Sequence, residues 1–187
     1  LDPKLPPKLP VKSKVQRVYR GTGSESVIFK NGSRIVLLNS DEESGHGKTV
    51  ELGVIDEAFA DDDDRREQAL LPAMLTRASA QQLVLSTAGT EKSVYLKRKV
   101  DQGRQAVASG LCEGIAYFEW SAPEDADIDD PRTWYSCMPA LGWTITEESV
   151  RHARSSMTEG DFRRAMLNIW TVSEDRVIPA HLWDAIG

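Results

Sequence analysis

The chain has 187 residues, of which 40% are hydrophobic and 28% charged, a balance typical of a folded domain with a core and not of a disordered chain. Its net charge of −6 excludes a simple basic clamp for nucleic acid, although a few loops could still touch DNA. Cys112 and Cys137 have no second Cys or His at metal-ligand spacing, so we expect reduced thiols, and no apolar run is long enough to span a membrane.

Residues 1–23 begin with a stretch rich in Pro and Lys, LDPKLPPKLPVKSK, which predicts a basic extended arm or loop. Because the chain starts with Leu1 instead of Met, we expect it to be a piece of a longer polypeptide. Residues 26–40 follow, with Asn31-Gly32 between two β-rich runs. Both residues tolerate positive φ, so this stretch predicts a β-hairpin.

The middle of the chain alternates between strand-like and helix-like patterns. Short apolar runs predict buried strands at 50–55, 81–90 and 114–121. Pro72 is expected to start or kink the first intervening helix, and Thr90 to cap the second. The apolar face of that second helix is expected to consist of Leu96, Val100, Gly103 and Val107. This order favours an α/β fold, a mostly parallel sheet with helices packed on it.

After residue 121 an acidic loop precedes helix-like patterns at 146–157 and 159–169. Thr146, followed by two glutamates, is typical of a helix N-terminus, where acids are favourable in the first turn. Arg163 and Arg164 are expected on a solvated helix face. The tryptophans are expected to pack in apolar segments instead of stacking on bases; they are Trp120, Trp134, Trp143, Trp170 and Trp183.

Two adjacent carboxylates, Asp56 and Glu57, end the strand predicted at 50–55. In open α/β sheets, ligands bind beyond the carboxyl ends of the strands. The pair suits nucleotide hydrolysis, in which Asp56 holds Mg²⁺, directly or through water, and Glu57 polarises the attacking water. A two-metal nuclease would need further carboxylates from other strands, and a solvated strand end is the plain alternative. The acids at 61–64 are expected at an exposed helix entry, because consecutive side chains diverge.

Two hydroxyl residues, Ser86 and Thr87, follow the apolar part of the strand predicted at 81–90. In a parallel sheet this strand end could lie beside Asp56 and Glu57. A hydroxyl there can sense the γ-phosphate or its water and pass that state to the rest of a motor. An ordinary strand-to-helix turn with a Ser or Thr cap is the alternative.

Five segments, in this order, resemble the large subunit of tailed-phage terminases, the ATPase of the DNA-packaging motor. They are SESVIFKNGSRIVLLNS, LGVIDEAF, LVLSTAGT, WYSCMPALGWTIT and FRRAMLNIWTVSEDRVIP. The resemblance covers the chain from about residue 24 to its end and implies a P-loop NTPase fold. LGVIDEAF is similar to the family's Walker B strand, which implies Asp56 as the Mg²⁺-associated residue and Glu57 as the catalytic glutamate. LVLSTAGT is similar to its coupling motif, which implies Ser86 or Thr87 as the coupling position.

The resemblance implies that residues 24–121 are part of an ATPase core and that 122–187 are a helical segment leading toward a nuclease domain expected downstream. It also implies a phosphate-binding loop, yet these residues contain no G-x-x-x-x-G-K-[ST] motif. We expect that loop upstream, and little ATPase activity from this fragment alone. Many relatives carry an Arg before the Walker B strand that acts on a neighbouring subunit's ATP. His46 stands there, with Lys48 nearby, and a surface-loop histidine is the alternative.

For the full protein the resemblance implies ATP hydrolysis that drives double-stranded DNA into a procapsid, with ATP and Mg²⁺ bound. It implies the portal protein, the procapsid, the small terminase subunit and a homo-oligomeric ring as partners, in the host cytoplasm and without a membrane. Two alternatives stay open. DEAF and STAG also resemble motifs of a superfamily-two helicase, although residues 122–187 lack that class's Gly-Arg-rich motif. A non-catalytic interaction module with solvated acids is the second.

Overall fold

The computed structural model describes four ranges of the chain, residues 14–23, 25–38, 49–110 and 114–172. The α/β class predicted from the sequence is confirmed: the described residues form five β-strands, one 3₁₀ turn and five α-helices. The chain divides into two compact units. The first consists of Leu1–Glu51 and Arg65–Ala80, and the second of Leu52–Asp64 and Gln81–Gly187.

An antiparallel three-stranded sheet belongs to the first unit. Its strands are β1 Val15–Tyr19, β2 Ser26–Phe29 and β3 Arg34–Val36, in the spatial order β1-β2-β3. β1 lies within the segment 1–23 that the composition predicted as an arm or loop, so the structure departs from that expectation at these five residues. The reason is pairing with β2, a contact that local composition cannot report. Residues 1–13 lie outside the described ranges.

The hairpin predicted around Asn31-Gly32 is confirmed, since β2 and β3 pair antiparallel on either side of it. Gly32 has a φ of 85°, and its N–H donates to the Phe29 carbonyl over 3.0 Å. Asn31 is not at positive φ; its side-chain oxygen accepts the Ser33 N–H at 3.1 Å. Of the pair, only Gly32 therefore uses the left-handed conformation. Hairpin loops of more than two residues commonly end on a residue in that conformation.

Helix α1, Arg65–Met74, completes the described part of the first unit. The helix begins seven residues before Pro72, so the expectation that Pro72 starts it is wrong. Glu67 in the first turn complements the helix dipole. Pro72 lacks the N–H for a backbone bond, and the helix ends two residues later.

A two-stranded parallel sheet positions the candidate site in the second unit. β4 is Leu52–Ile55, β5 is Gln81–Val84, and Ile55 is paired with Val84 at their carboxyl ends. Both strands were expected to be buried, but the side chains alternate: Ile55 is buried, whereas Leu52 and Val54 are 56% and 50% exposed. Within the described residues β4 alternates between exposed and buried residues and β5 between exposed and half-buried ones, which is the period of two of a half-covered sheet.

The third strand expected at 114–121 is not formed, because within the described ranges this segment pairs with neither β4 nor β5. It lies instead against helix α2, Val94–Ser109. The Tyr117 ring packs on Gly103, where an added Cβ would lie 2.2 Å from the ring carbon Cδ2. The glycine thus permits the close approach that holds the segment on the helix.

Helix α2 begins three residues later than expected. Its N-cap is Ser93 and not Thr90. The Thr90 hydroxyl instead accepts the Lys92 N–H at 3.3 Å in the turn before the helix. Its buried residues are Tyr95, Leu96, Gly103 and Ala106. Val107, expected on this face, is exposed, because the buried stripe continues at three-residue spacing from Gly103 to Ala106.

A polar network joins α2 to the segment 115–121. Arg104 donates to both carboxylate oxygens of Glu119, over 2.9 and 2.5 Å, and Tyr117 and Ser121 donate to the same carboxylate at 2.6 and 2.9 Å. The hydrogen bond from Arg104 is the main cause that lowers the pKa of Glu119 to about 2. Burial, followed by the bond to Glu119, raises the pKa of Tyr117 to about 12.

Three short helices carry the principal core of the second unit. They are α3 Pro131–Cys137, α4 Glu147–Ser156 and α5 Glu159–Ala165. Thr146 caps α4 as predicted, accepting the Ser149 N–H at 3.1 Å. The largest side chains buried in this core are Trp134, Phe162, Leu167 and Val150.

The tryptophans differ in their burial. Trp134 is buried and donates its indole N–H to the Ile128 carbonyl over 2.7 Å, which confirms the packing role predicted for it. Trp120 and Trp143 are exposed, so that prediction is wrong for them. Trp183 lies outside the described residues. Within the described ranges, no helix has both the length and the apolar character needed to cross a membrane.

Candidate active site

The strand ends of β4 and β5 bring the predicted site residues together. The two strands are parallel and in register, so Asp56-Glu57 and Ser86-Thr87 leave the same edge of the sheet. Asp56 and Glu57 are exposed there. The expectation that the two strand ends lie side by side is therefore confirmed as geometry. The carboxyl edge of a parallel sheet is where ligands of this fold class bind.

Glu57 has an unusual backbone conformation. Its φ and ψ are 52° and 46°, the left-handed region, which is unfavourable for a residue with a side chain. Its N–H donates to Asp56 Oδ1 over 3.0 Å, and a 3₁₀ turn, Ala58–Ala60, follows it. Such a conformation costs on the order of 1–3 kcal/mol and persists only where the surroundings enforce it.

Hydrogen bonds from the neighbouring strand hold the turn after Glu57. Ala58 is fully buried and donates its N–H to the Leu85 carbonyl at 3.2 Å. The Phe59 N–H donates to Ser86 Oγ at 2.9 Å, and Ser86 Oγ donates to the Thr87 carbonyl at 2.7 Å. The predicted coupling residue Ser86 thus contacts the backbone two residues beyond Glu57, which is a physical link between the two strand ends.

A second serine, which the sequence analysis did not single out, holds the same turn. Ser93 Oγ donates to the Phe59 carbonyl over 2.5 Å and accepts the Thr90 N–H at 3.2 Å. Phe59 and Ser93 are 34 residues apart, so no local pattern reports their contact. The only sequence signal is the position of Ser93 just before a helical apolar repeat, which is equally typical of any N-cap.

A cavity of about 260 Å³ lies beside this turn, between the loop 87–93 and helix α5. It takes in Thr87 but not Asp56, Glu57 or Ser86. The carboxylates therefore stand on the open strand edge and not inside this cavity. The cavity is lined by Phe59, Thr87, Ala88, Gly89, Thr90, Ser93, Met157, Asp161, Arg164 and Ala165.

Arg164 closes one side of that cavity. Its side chain is only 13% exposed, so the prediction of a solvated helix face is wrong for this residue. It donates to Asp161 over 2.5 Å and to Thr171 over 2.7 Å. The Thr171 N–H in turn donates to the Gly89 carbonyl at 3.4 Å. Helix α5 and the segment after it are thus tied to the loop that follows β5.

The donor set fits one Mg²⁺ held mainly by water and phosphate. Mg²⁺ in nucleotide sites is bound through one or two carboxylates plus substrate phosphates, and Asp56 offers an exposed carboxylate at the ligand-binding edge. No group of three or more His, Cys, Asp or Glu side chains converges in the described part of the chain, so the two-metal nuclease alternative lacks its carboxylates there. In the acidic run, Asp64 pairs with Arg98 at 3.0 Å.

His46 and Lys48, suggested for action on a neighbouring subunit's nucleotide, lie outside the described residues. Among the described residues, the candidate site consists of Asp56, Glu57, Ser86 and Thr87, with Ser93 added by the structure.

The comparisons with known proteins identify one solved structure with this fold. The chain superimposes on the large terminase of bacteriophage HK97 with a TM-score of 0.70, over 93% of this chain and 36% of that one. The fold is similar to that of part of a phage large terminase. The resemblance inferred from the sequence motifs is confirmed at the level of fold, and the sequence identity is 21%. The chain spans about a third of that terminase's length. No family model and no curated protein matches the sequence.

Proposed function

We propose that this chain is part of a viral DNA-packaging motor that couples ATP hydrolysis to translocation of double-stranded DNA into a procapsid. The observation that carries the proposal is the left-handed Glu57, directly after Asp56 at the carboxyl end of β4, bridged to the end of β5 through Ser86. Strained backbone at a ligand-binding edge is typical of a catalytic position. The similarity in fold to a phage large terminase supports the proposal of a packaging motor over that of a generic α/β domain.

Glu57 is assigned the chemical step. Its carboxylate would accept a hydrogen bond from the attacking water, align it with the γ-phosphate and take up its proton as the bond forms. The left-handed backbone fixes where the side chain leaves the strand end, so the carboxylate is positioned before ATP arrives. Asp56, one residue earlier, keeps one oxygen on the Glu57 N–H, which orients its carboxylate at the same edge.

Asp56 is assigned to Mg²⁺, directly or through a water of its shell. When bound, Mg²⁺ supplies positive charge that neutralises the phosphate oxygens during transfer. The phosphate-binding loop of a P-loop NTPase would come from other parts of the polypeptide, since its motif is absent from these 187 residues. We therefore expect the isolated chain to hydrolyse ATP poorly.

Ser86 and Thr87 are assigned to coupling. A change in the position of the Glu57 turn on hydrolysis would alter the Phe59–Ser86 bond and with it the loop that follows β5. That loop is joined through Gly89 and Thr171 to the segment beyond α5. The path runs from the strand edge to the helical core and is a route by which the nucleotide state would reach a DNA-moving element.

The complete protein would act with double-stranded DNA, the portal protein, the procapsid, the small terminase subunit and further copies of itself in a ring. Its place would be the host cytoplasm, with transient docking on the procapsid. His46 or Lys48 would act on the ATP of a neighbouring copy, unless an Arg elsewhere does so.

A packaging assay tests this function. The complete protein, procapsids of the source virus and linear DNA are incubated with ATP and Mg²⁺, and packaged DNA is scored by its resistance to nuclease. Glu57→Gln should abolish protection, whereas Glu124→Gln, at an exposed position outside both strand-end segments, should not. Undiminished packaging by Glu57→Gln would reject Glu57 as the catalytic residue, and a parent protein that protects no DNA would reject the motor assignment and favour a non-catalytic interaction module.

A further inference from the structure

Phe59 is held at both of its backbone polar groups by side chains from the second strand–loop–helix segment. Its N–H donates to Ser86 and its carbonyl accepts from Ser93. Ser93 is 3% exposed, and its bond to the Phe59 carbonyl is partly buried. Ser86 belongs to the coupling motif, but Ser93 lies beyond it, at the start of α2. The turn after Glu57 is thus attached to a helix as well as to a strand.

The use that Ser93 makes of its hydroxyl is unusual for its position. A serine at an N-cap ordinarily accepts an N–H from the first turn of its own helix. Ser93 makes no such capping bond. Its hydroxyl is directed to the Phe59 carbonyl instead. Ser93 thus departs from the usual capping pattern and contacts a distant segment of the chain. Residues that depart from such local patterns are expected at functional positions.

Gly89 makes room for this arrangement. A Cβ at position 89 would lie 2.2 Å from Ser93 Oγ and 2.4 Å from Ser93 Cβ. Both distances are far shorter than a van der Waals contact. The Cβ of Ser93 is fixed by its backbone, so it cannot rotate away as the end of a long side chain would. The glycine after the coupling residues is therefore explained by the position of Ser93 and not by a positive φ, which it does not have.

We propose that Ser93 is a positioning residue for Glu57. By fixing the Phe59 carbonyl it holds the 3₁₀ turn that keeps Glu57 in the left-handed conformation, and it ties that turn to the N-terminus of α2. The inference rests on the proposed ATP hydrolysis by Glu57. Ser93 touches neither substrate nor metal in this role; it acts through the Phe59 peptide.

The test compares ATP turnover by the complete protein and its Ser93→Ala variant. Ser93 makes no capping bond to its own helix, so removing its hydroxyl breaks its bond to the Phe59 carbonyl and the bond it accepts from the Thr90 N–H, and no bond within α2. We expect kcat to fall by about tenfold. A misplacement of about 1 Å can cause a loss of roughly hundredfold, and we expect a smaller shift here. The affinity for ATP should stay within about twofold of the parent. Turnover is divided by the concentration of ATP-binding sites titrated in each preparation, so loss of folded protein cannot imitate loss of rate. Ser155→Ala, which removes an exposed hydroxyl bonded only to the His152 carbonyl of its own helix, is the matched control and should behave as the parent.

The same substitution in a Glu57→Gln background separates positioning from general damage. If Ser93 acts through Glu57, Ser93→Ala should cause no further fall in single-turnover rate once that carboxylate is gone. An equal further fall, or a Ser93→Ala kcat within about twofold of the parent, would overturn the inference while leaving Glu57 as the catalytic residue. If Glu57→Gln alone leaves turnover unchanged, the catalytic role proposed for Glu57 fails, and this inference fails with it; if the parent itself hydrolyses no ATP, the proposed function fails.

Discussion

Glu119→Gln should destabilise the second unit, and by an amount that depends on pH. The substitution keeps the shape of the side chain but removes the charge that accepts both hydrogen bonds from Arg104. It also replaces one carboxylate oxygen, an acceptor, with an NH₂ group, a donor. That donor would face groups such as the Tyr117 hydroxyl, which themselves donate. The effect is expected in the free energy of unfolding and not in nucleotide chemistry, because the network lies on α2.

The magnitude follows from the pKa of Glu119. A carboxyl whose pKa falls from 4.5 to about 2 on folding contributes on the order of 3 kcal/mol at neutral pH. The Arg104 side chain is 49% exposed, so solvent screens the pair. We therefore expect roughly half of that amount, about 1.5 kcal/mol. Because the folded pKa is the lower one, this contribution is complete above about pH 4.5 and is lost as the pH falls toward about 2.

Urea titrations followed by tryptophan fluorescence measure the effect, with Trp120 next to the network in the chain. The difference in unfolding free energy between the parent and Glu119→Gln should be largest at about pH 7 and shrink as the pH falls from about 4.5 toward about 2. Glu124→Gln, at an exposed position, serves as the control and should change stability by less than about 0.5 kcal/mol. A difference that does not vary with pH would refute the ion-pair account, and no difference at all would refute the network.

Two further substitutions test the local structure by the same unfolding measurement. Thr146→Ala removes the side-chain bond to the Ser149 N–H and should lower stability by about 1 kcal/mol, whereas Thr146→Asp should retain most of it. Gly103→Ala drives a methyl group into the Tyr117 ring and should destabilise by about 1–3 kcal/mol. Its matched partner is Gly160→Ala in α5, where the nearest atom, of Arg164, is 3.6 Å away, and this change should be neutral or stabilising. Equal effects at both glycines would mean that backbone entropy, and not the close approach, decides the result at Gly103.

The sequence predicted the two strands that carry the site and their shared edge, because both signals are local. A short apolar run followed by acids, and another followed by hydroxyl residues, predicted β4 and β5, and their separation by a helix predicted that they are parallel. The hairpin was predictable for the same reason, since Asn-Gly is a local turn signal. Thr146 likewise stands next to the helix it caps.

The errors arose where pairing or a distant contact decides the structure. Residues 114–121 have the apolar content of a strand, but a strand also needs a neighbour, and within the described residues this segment contacts α2 instead. Thr and Ser both favour N-cap positions, so the sequence does not say whether α2 begins after Thr90 or after Ser93, and the Ser93 hydroxyl bonds to the distant Phe59 carbonyl instead of its own helix. Arg164 resembles a solvated arginine in sequence, yet Asp161 and Thr171 enclose it. The left-handed conformation of Glu57 has no sequence signal, because glutamate does not favour it.

The most direct test of the account is a single-turnover measurement of ATP hydrolysis by the complete protein and its Glu57→Gln variant, with ATP affinity measured in parallel. The account predicts that Glu57→Gln binds ATP with an affinity within about twofold of the parent and hydrolyses it at least about a hundredfold more slowly, since general base catalysis contributes roughly 10²–10⁴-fold. Hydrolysis at the parent rate with ATP bound would contradict the account and leave Asp56 and Glu57 as a solvated strand end.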